Sequence, residues 1–477
     1  MATTTNRTPL YVQPQFHAIP SFYGRSQESV RLEADLHDCR LEGAFPEGLN
    51  GTFFGLGPDA QYPTLPDDDI ILNGDGHMLS WRIEDGHVDF KSRYVRTERF
   101  EAEYAARRRL YNLYRNPVRD DPDAPGLMQR DNTGNTYAWY FNGRLFALRE
   151  DSHPNEIDPV TLETKEVFDF DGALKSSALS AHGKIDPDTG EWWAFGMYAE
   201  RRWTGECALI VADKNAKLIR EEHFIAPYPG MMHDFAVTKE HVIFDIQPFR
   251  VDEERMKRGG QFYAFDPDQP SLWGIMPRDG NVEDIRWFRA PGVVCGHIMN
   301  AYTQGKTVVV DAPAAPGNSF PFFKDVDGNP TDIELGNATI TRLVFDLAGE
   351  TDQAKVYPIA GAVGEMPKID DRFAMQKYKY GFFRGMGGLY RIDWETLEIR
   401  NYPMVAPDIM HESTFVPRYD GAAEGDGWLL SVVNHAATNR GSLVVFDAQH
   451  IEEGPVARAM IPYSTHMTFH GSFARDV

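Results

Sequence analysis

Four of the fifteen histidines in this 477-residue chain stand among apolar or small residues, where an imidazole needs partners for both ring nitrogens. His182 precedes a turn in Ser180-Ala181-His182-Gly183-Lys184-Ile185-Asp186-Pro187, and His233 opens the strand-like run His233-Asp234-Phe235-Ala236-Val237. His297 lies in Cys295-Gly296-His297-Ile298-Met299-Asn300, and His470 in Thr468-Phe469-His470-Gly471-Ser472. Successive gaps are 51, 64 and 173 residues. In a fold built from repeated sheets of roughly 60–70 residues, these are about one, one and three repeats. Each histidine then falls on the inner strand of a different sheet, and a metal ion on the common axis is the expected consequence. An all-imidazole set suits iron, zinc, copper or nickel and does not select among them.

The other histidines offer less. A lone histidine is more often structural than a ligand. His466 and His470 have i, i+4 spacing, but on an extended chain they lie about 13 Å apart, too far to share one ion. His153, His241 and His435 have no motif around them and read as structural. Ligand histidines usually donate their second N–H to a carboxylate. Glu150, Glu365 and Glu412 sit in mixed apolar settings that could place them there.

The elements that must carry these residues are strands. Trp192 to Met197, His241 to Ile246, Lys306 to Val310, Thr341 to Asp346, Gly427 to Val433 and Ser442 to Asp447 are β-branched and aromatic runs separated by Gly, Pro, Asp and Asn. They continue from near residue 50 to the C-terminus with no linker-like break, so residues 1–477 read as a single all-β domain. At this length a β-propeller fits better than a sandwich. One segment differs. Phe100, Tyr104, Tyr111 and Tyr114 fall at helical spacing between Glu98 and Arg115, and Asn116-Pro117 ends the run. A surface helix packed on the sheets, or a helix capping a cavity, is expected there.

Composition narrows the function. The formal charge of −23 argues against nucleic acid or anionic lipid as a partner. Three cysteines form no disulfide framework and point to a reducing cytoplasm. The first residues lack the apolar run of a secretory signal, and no stretch reaches the ~20 apolar residues of a membrane helix.

Asn50-Gly51-Thr52-Phe53-Phe54, Gly74-Asp75-Gly76-His77, Arg149-Glu150-Asp151, His233-Asp234-Phe235-Ala236-Val237-Thr238, Glu424-Gly425-Asp426-Gly427 and Phe469-His470-Gly471 carry a resemblance that covers essentially the whole chain. The chain resembles the carotenoid cleavage oxygenases, and within them the lignostilbene dioxygenase and isoeugenol monooxygenase branch. The resemblance implies a seven-bladed propeller with a helical or loop cap over the iron face. It implies Fe(II) on His182, His233, His297 and His470, with Glu150, Glu365 and Glu412 behind them and Thr136 beside the open coordination position. In the stretch Tyr114-Arg115-Asn116-Pro117, Tyr114 matches the tyrosine that contacts a substrate phenol, and Arg149 stands where this branch carries a lysine. Arginine stays charged and donates a planar fork, so Arg149 is expected to bind the ring oxygen without acting as a base.

The expected activity is cleavage of the C=C bond of a small apolar aromatic alkene, a stilbenoid or a phenylpropene, by O2 to give aldehydes. Cleavage of an apocarotenoid is the alternative within the family. Outside it stand a zinc or calcium propeller hydrolase and a ligand-binding module, although calcium would call for Asp, Asn and Glu ligands. The oligomeric state is open, a homo-oligomer included.

Overall fold

A computed structural model describes residues 19–20, 26–64, 69–201, 203–385, 387–404 and 407–477. The described residues form antiparallel meanders almost throughout. Local chemistry sets the hairpins: Asp85-Gly86 and Asn142-Gly143 both have positive φ (48° and 84°, 47° and 80°). Two left-handed residues in a row match the twist of the flanking strands, and these dipeptides tolerate them. They join Gly76–Glu84 to His87–Tyr94, and Tyr137–Phe141 to Arg144–Leu148.

The largest sheet has nine strands, and it is two meanders joined end to end. Tyr137–Phe141 meets His470–Ala474 in parallel through the single pair Tyr137 and His470. Counted so, the described strands make seven units of four or five strands, besides two two-stranded ribbons. The two ends of the chain are stitched together twice. His470–Ala474 pairs with Gly51–Pro58, and Arg40–Gly43 pairs with Pro455–Ile461. Apolar cores lie between successive units: Phe146, Phe168, Phe170 and Trp192 fill one, and Trp273, Phe288 and Phe345 another.

Each unit has an end strand facing the middle. These are Tyr137–Phe141, Lys184–Ile185, Phe235–Val237, Asn300–Gln304, Glu365–Ile369, Ile409–Pro417 and His470–Ala474. Several touch their neighbours directly, Glu365–Ile369 against Ile409–Pro417 and that strand against His470–Ala474. The predicted strands are present, with bounds shifted by a few residues.

The predicted helix is shorter than the aromatic stripe suggested. It spans Glu98–Ala106, with Thr97 accepting from the Phe100 N–H at its start and Arg107 in the left-handed region (φ 53°) at its end. The Glu103 carboxylate ends the continuation by accepting from Leu110 N at 2.8 Å and Tyr111 N at 3.0 Å. Tyr104 is therefore exposed, whereas Tyr111 and Tyr114 are buried in the irregular segment that follows. Tyr114 does not end a helix. Among the described residues no helix is long and apolar enough to cross a membrane, and Cys39, Cys207 and Cys295 are free and buried.

Candidate metal centre

His182, His233 and His297 sit just before the end strands of their units, and His470 begins its own. The other three end strands carry Thr136 just ahead, Glu365 at the start and Glu412 near the start. The convergence of the end strands therefore brings the four rings together. Each offers one ring nitrogen, all within 4.8 Å of one another, and all four residues are buried.

Carboxylates fix three of the rings. His297 Nδ1 lies 2.7 Å from Glu365 Oε2, His470 Nδ1 lies 2.8 Å from Glu412 Oε1, and His233 Nδ1 meets Glu150 Oε1. With the proton held on Nδ1, each Nε2 is a bare lone pair. His233 Nε2 and His297 Nε2 nonetheless face each other at 3.2 Å. Two lone pairs at that separation repel unless a cation lies between them. His182 Nε2 is buried and has no hydrogen-bond partner. A metal ion among the four rings would satisfy both the facing Nε2 pair and the unpartnered His182 Nε2. Gly296 permits the Glu365 contact, because a Cβ there would lie 2.5 Å from Glu365 Oε1.

The electrostatics favour neutral imidazoles at His182 and His470. Burial, reinforced by the neighbouring imidazoles, pushes the His182 pKa well below its ordinary value. Burial also lowers His470 to about 4, against the pull of Glu412. His297 is raised, because the Glu365 charge and hydrogen bond outweigh burial. Glu150 and Glu412 stay ionised although burial opposes it: His233, Arg115 and Arg149 lower the first, and Lys368 and His470 the second.

Two cations behind these carboxylates were not anticipated. Arg115 donates to Glu150 Oε2 at 2.7 Å, to the Tyr263 hydroxyl at 3.1 Å and to Asp151. Lys368 lies 3.3 Å from Glu412 Oε2 and donates to the Tyr137 hydroxyl at 2.9 Å. Tyr137 in turn packs against His470 with ring centroids 5.1 Å apart. Arg115 adjoins Tyr114 in sequence, but no local pattern signals partners up to 148 residues away.

The residues expected at the substrate lie on the His233 side. Phe320 packs 5.3 Å from His233, Phe323 lies 6.2 Å from Phe320, and Tyr114 lies 6.0 Å from Phe323. Arg149 sits over the Tyr114 ring at 5.2 Å, and two of its donors are already engaged by Asp151 at 3.1 Å and Asn135 at 2.8 Å. Thr136 is buried, and its hydroxyl donates to Asn135 at 3.0 Å. A cavity of about 550 Å³ reaches His182, His297 and His470, but Tyr114, Arg149 and Thr136 do not line it. His466 pairs with His77 at 3.0 Å, apart from the four-histidine group. His153, His241 and His435 bond to Ser176, Thr303 and Asp408.

Residues 27–475 match the family described as retinal pigment epithelial membrane protein. The chain is 36% identical to lignostilbene-alpha,beta-dioxygenase isozyme III of Sphingomonas paucimobilis, over 93% of this chain and 95% of that one. It is 37% identical to isoeugenol monooxygenase of Pseudomonas putida, with the same coverage. The crystal structure of Pseudomonas brassicacearum lignostilbene dioxygenase superposes with a TM-score of 0.93 at 34% identity, covering 97% of this chain and all of that one. The architecture is thus of propeller type.

Proposed function

The chain belongs to the carotenoid oxygenase family, and on that premise we propose that it is a non-haem iron oxygenase cleaving the C=C bond of an aromatic alkene. The observation that carries this reading is the group of four buried histidines, three of them fixed by carboxylates, in a chain whose relatives are named for lignostilbene and isoeugenol. In the same reading, residues 1–477 are one domain. The seven units are blades closed around an axis, with loops and the short helix capping the iron face, and the protein works in the cytoplasm.

His182, His233, His297 and His470 would hold Fe(II), which supplies the site where O2 is bound and activated. The chain's own part is to keep four neutral imidazoles aimed inward, hold the alkene and exclude water. Phe320 and Phe323 offer an apolar wall for an aromatic ring, and Tyr114 with Arg149 offers a polar end for its 4-oxygen. Thr136 narrows the approach. One C=C bond and one O2 are consumed and two carbonyl groups form: two aromatic aldehydes from a stilbene, vanillin and acetaldehyde from isoeugenol.

The test is turnover of isoeugenol, a lignostilbene, resveratrol and an apocarotenal under air, with products read by mass spectrometry. Aldehydes from the aromatic alkenes are expected. Turnover of the apocarotenal alone would move the enzyme to the carotenoid cleavers. A hydrogen bond to a charged group contributes about 1.5–3 kcal/mol, so Arg149→Ala is expected to lower kcat/KM roughly ten- to a hundredfold on 4-hydroxy substrates. Tyr114→Phe should act in the same direction. If both variants match wild type on every aromatic alkene, the polar-end assignment fails.

The carboxylates carry a separate expectation. Glu150→Gln, Glu365→Gln and Glu412→Gln keep the shape but lose the charged acceptor, which should weaken metal affinity about 10–100-fold. Chelator competition reads this directly. Wild-type affinity in all three would remove their assigned role.

A further inference from the structure

A cavity ends on His182, His297 and His470, on the side of the centre away from Phe320 and Phe323. It begins at the exposed residues Pro187 and Arg475 and runs inward to the three imidazoles. The cations further in are already paired: Lys184 with Asp234 at 2.7 Å, Lys368 with Glu412 at 3.3 Å, and Arg372 with Asp370 at 2.6 Å. Asp371 is different. It lines the cavity, is exposed to it, and its carboxylate has no ion pair or hydrogen bond among the described residues. An unpartnered carboxylate at such a place raises the question of what it receives.

A divalent iron ion in water keeps its hydration shell until oxygen or nitrogen ligands replace it. The Phe320 and Phe323 side would strip that shell from the ion without offering oxygen or nitrogen ligands in return. The cavity instead offers carboxylate oxygens, at Asp371 and deeper at Asp234 and Glu412, between otherwise largely apolar walls, and it ends on three imidazoles, among them the unpartnered Nε2 of His182. We infer that this cavity is the path by which the metal ion reaches the four histidines, with Asp371 as the carboxylate that receives the hydrated divalent cation on the way. The inference rests on the reading of the four histidines as the metal site. The step is ligand exchange alone: water leaves the ion, a carboxylate oxygen and then imidazole Nε2 atoms replace it, and no electron or proton is transferred.

The experiment uses metal-free full-length protein mixed rapidly with Co(II), whose visible absorption reports binding to imidazole, and with Fe(II). Electrostatic steering raises association rates by about tenfold or more. Asp371→Asn is therefore expected to load about tenfold slower than wild type, with the same final metal per chain and the same affinity in chelator competition. Asp371→Glu should restore the rate and Asp371→Lys should slow it further. Far-UV circular dichroism checks that the variants fold. Wild-type loading rates in both Asp371→Asn and Asp371→Lys would overturn the route, as would a loss of equilibrium affinity without a change in rate. If wild-type apoprotein takes up neither ion, the reading of the histidines falls and the route falls with it.

Discussion

Replacing any one of His182, His233, His297 and His470 by alanine is expected to leave the purified protein without its metal. Four-ligand sites in small metal-binding domains bind with about 10–16 kcal/mol, so one ligand of four is worth roughly 3 kcal/mol, more than a hundredfold in affinity. Three of the substitutions do further harm. Removing His233, His297 or His470 takes one of its donors from Glu150, Glu365 or Glu412, and losing one partner of such a hydrogen bond costs more than the bond was worth. His182 has no such carboxylate, and its Nε2 has no partner at all. His182→Ala should therefore lose metal with the least damage to the fold. Metal analysis after dialysis against a chelator gives the answer, with about one iron per wild-type chain as the reference. Wild-type iron in any variant would strike that residue from the ligand set, and stoichiometric zinc without iron in active protein would refute iron.

Arg115→Met is expected to lower stability by about 3–5 kcal/mol, the cost of breaking a buried ion pair on one side only. Arg115 is 2% exposed and binds Glu150, Asp151 and Tyr263 at once. Together with Arg149 the four charges cancel. Without Arg115, two buried carboxylates face a single guanidinium. The backbone points the same way: Arg115 (φ 53°) and Tyr198 (φ 54°) are both left-handed, and both reach the Tyr263 hydroxyl. Such conformations persist only where surrounding contacts over-determine them. Urea unfolding measures the loss. Adding Asp151→Asn to Arg115→Met should recover part of it, because the two residues share one network. An unchanged urea midpoint in Arg115→Met would show that the network contributes nothing to the fold.

The sequence made the histidines legible because each sits in a motif at the start of an end strand, and the glutamates because their motifs match a known pattern. Arg115 and Lys368 were not legible. A lysine three residues after Glu365 looks like any solvated lysine until the fold sets its amine 3.3 Å from Glu412. The helix was half legible: apolar spacing extends to Tyr114, but it cannot report that Glu103 will turn back and hold Leu110 and Tyr111. Asp371 was invisible for the opposite reason. Its importance lies in having no partner, and a sequence does not show what a residue fails to touch.

The strand His470–Ala474 has a bearing on how the protein is made. Residues emerge from the ribosome in order, and His470 follows His297 by 173 positions. Until it appears, Gly51–Pro58 has no neighbour on one edge, and a waiting edge strand can pair with the wrong chain. Contacts spanning more than 400 residues also form slowly, since a long loop must be closed first. A nascent chain can thus build its middle sheets early, but it holds three imidazoles and an open seam until the last strand arrives. Translation at low temperature, or with a chaperone that shields strand edges, should raise the yield of soluble protein more than an iron supplement during synthesis.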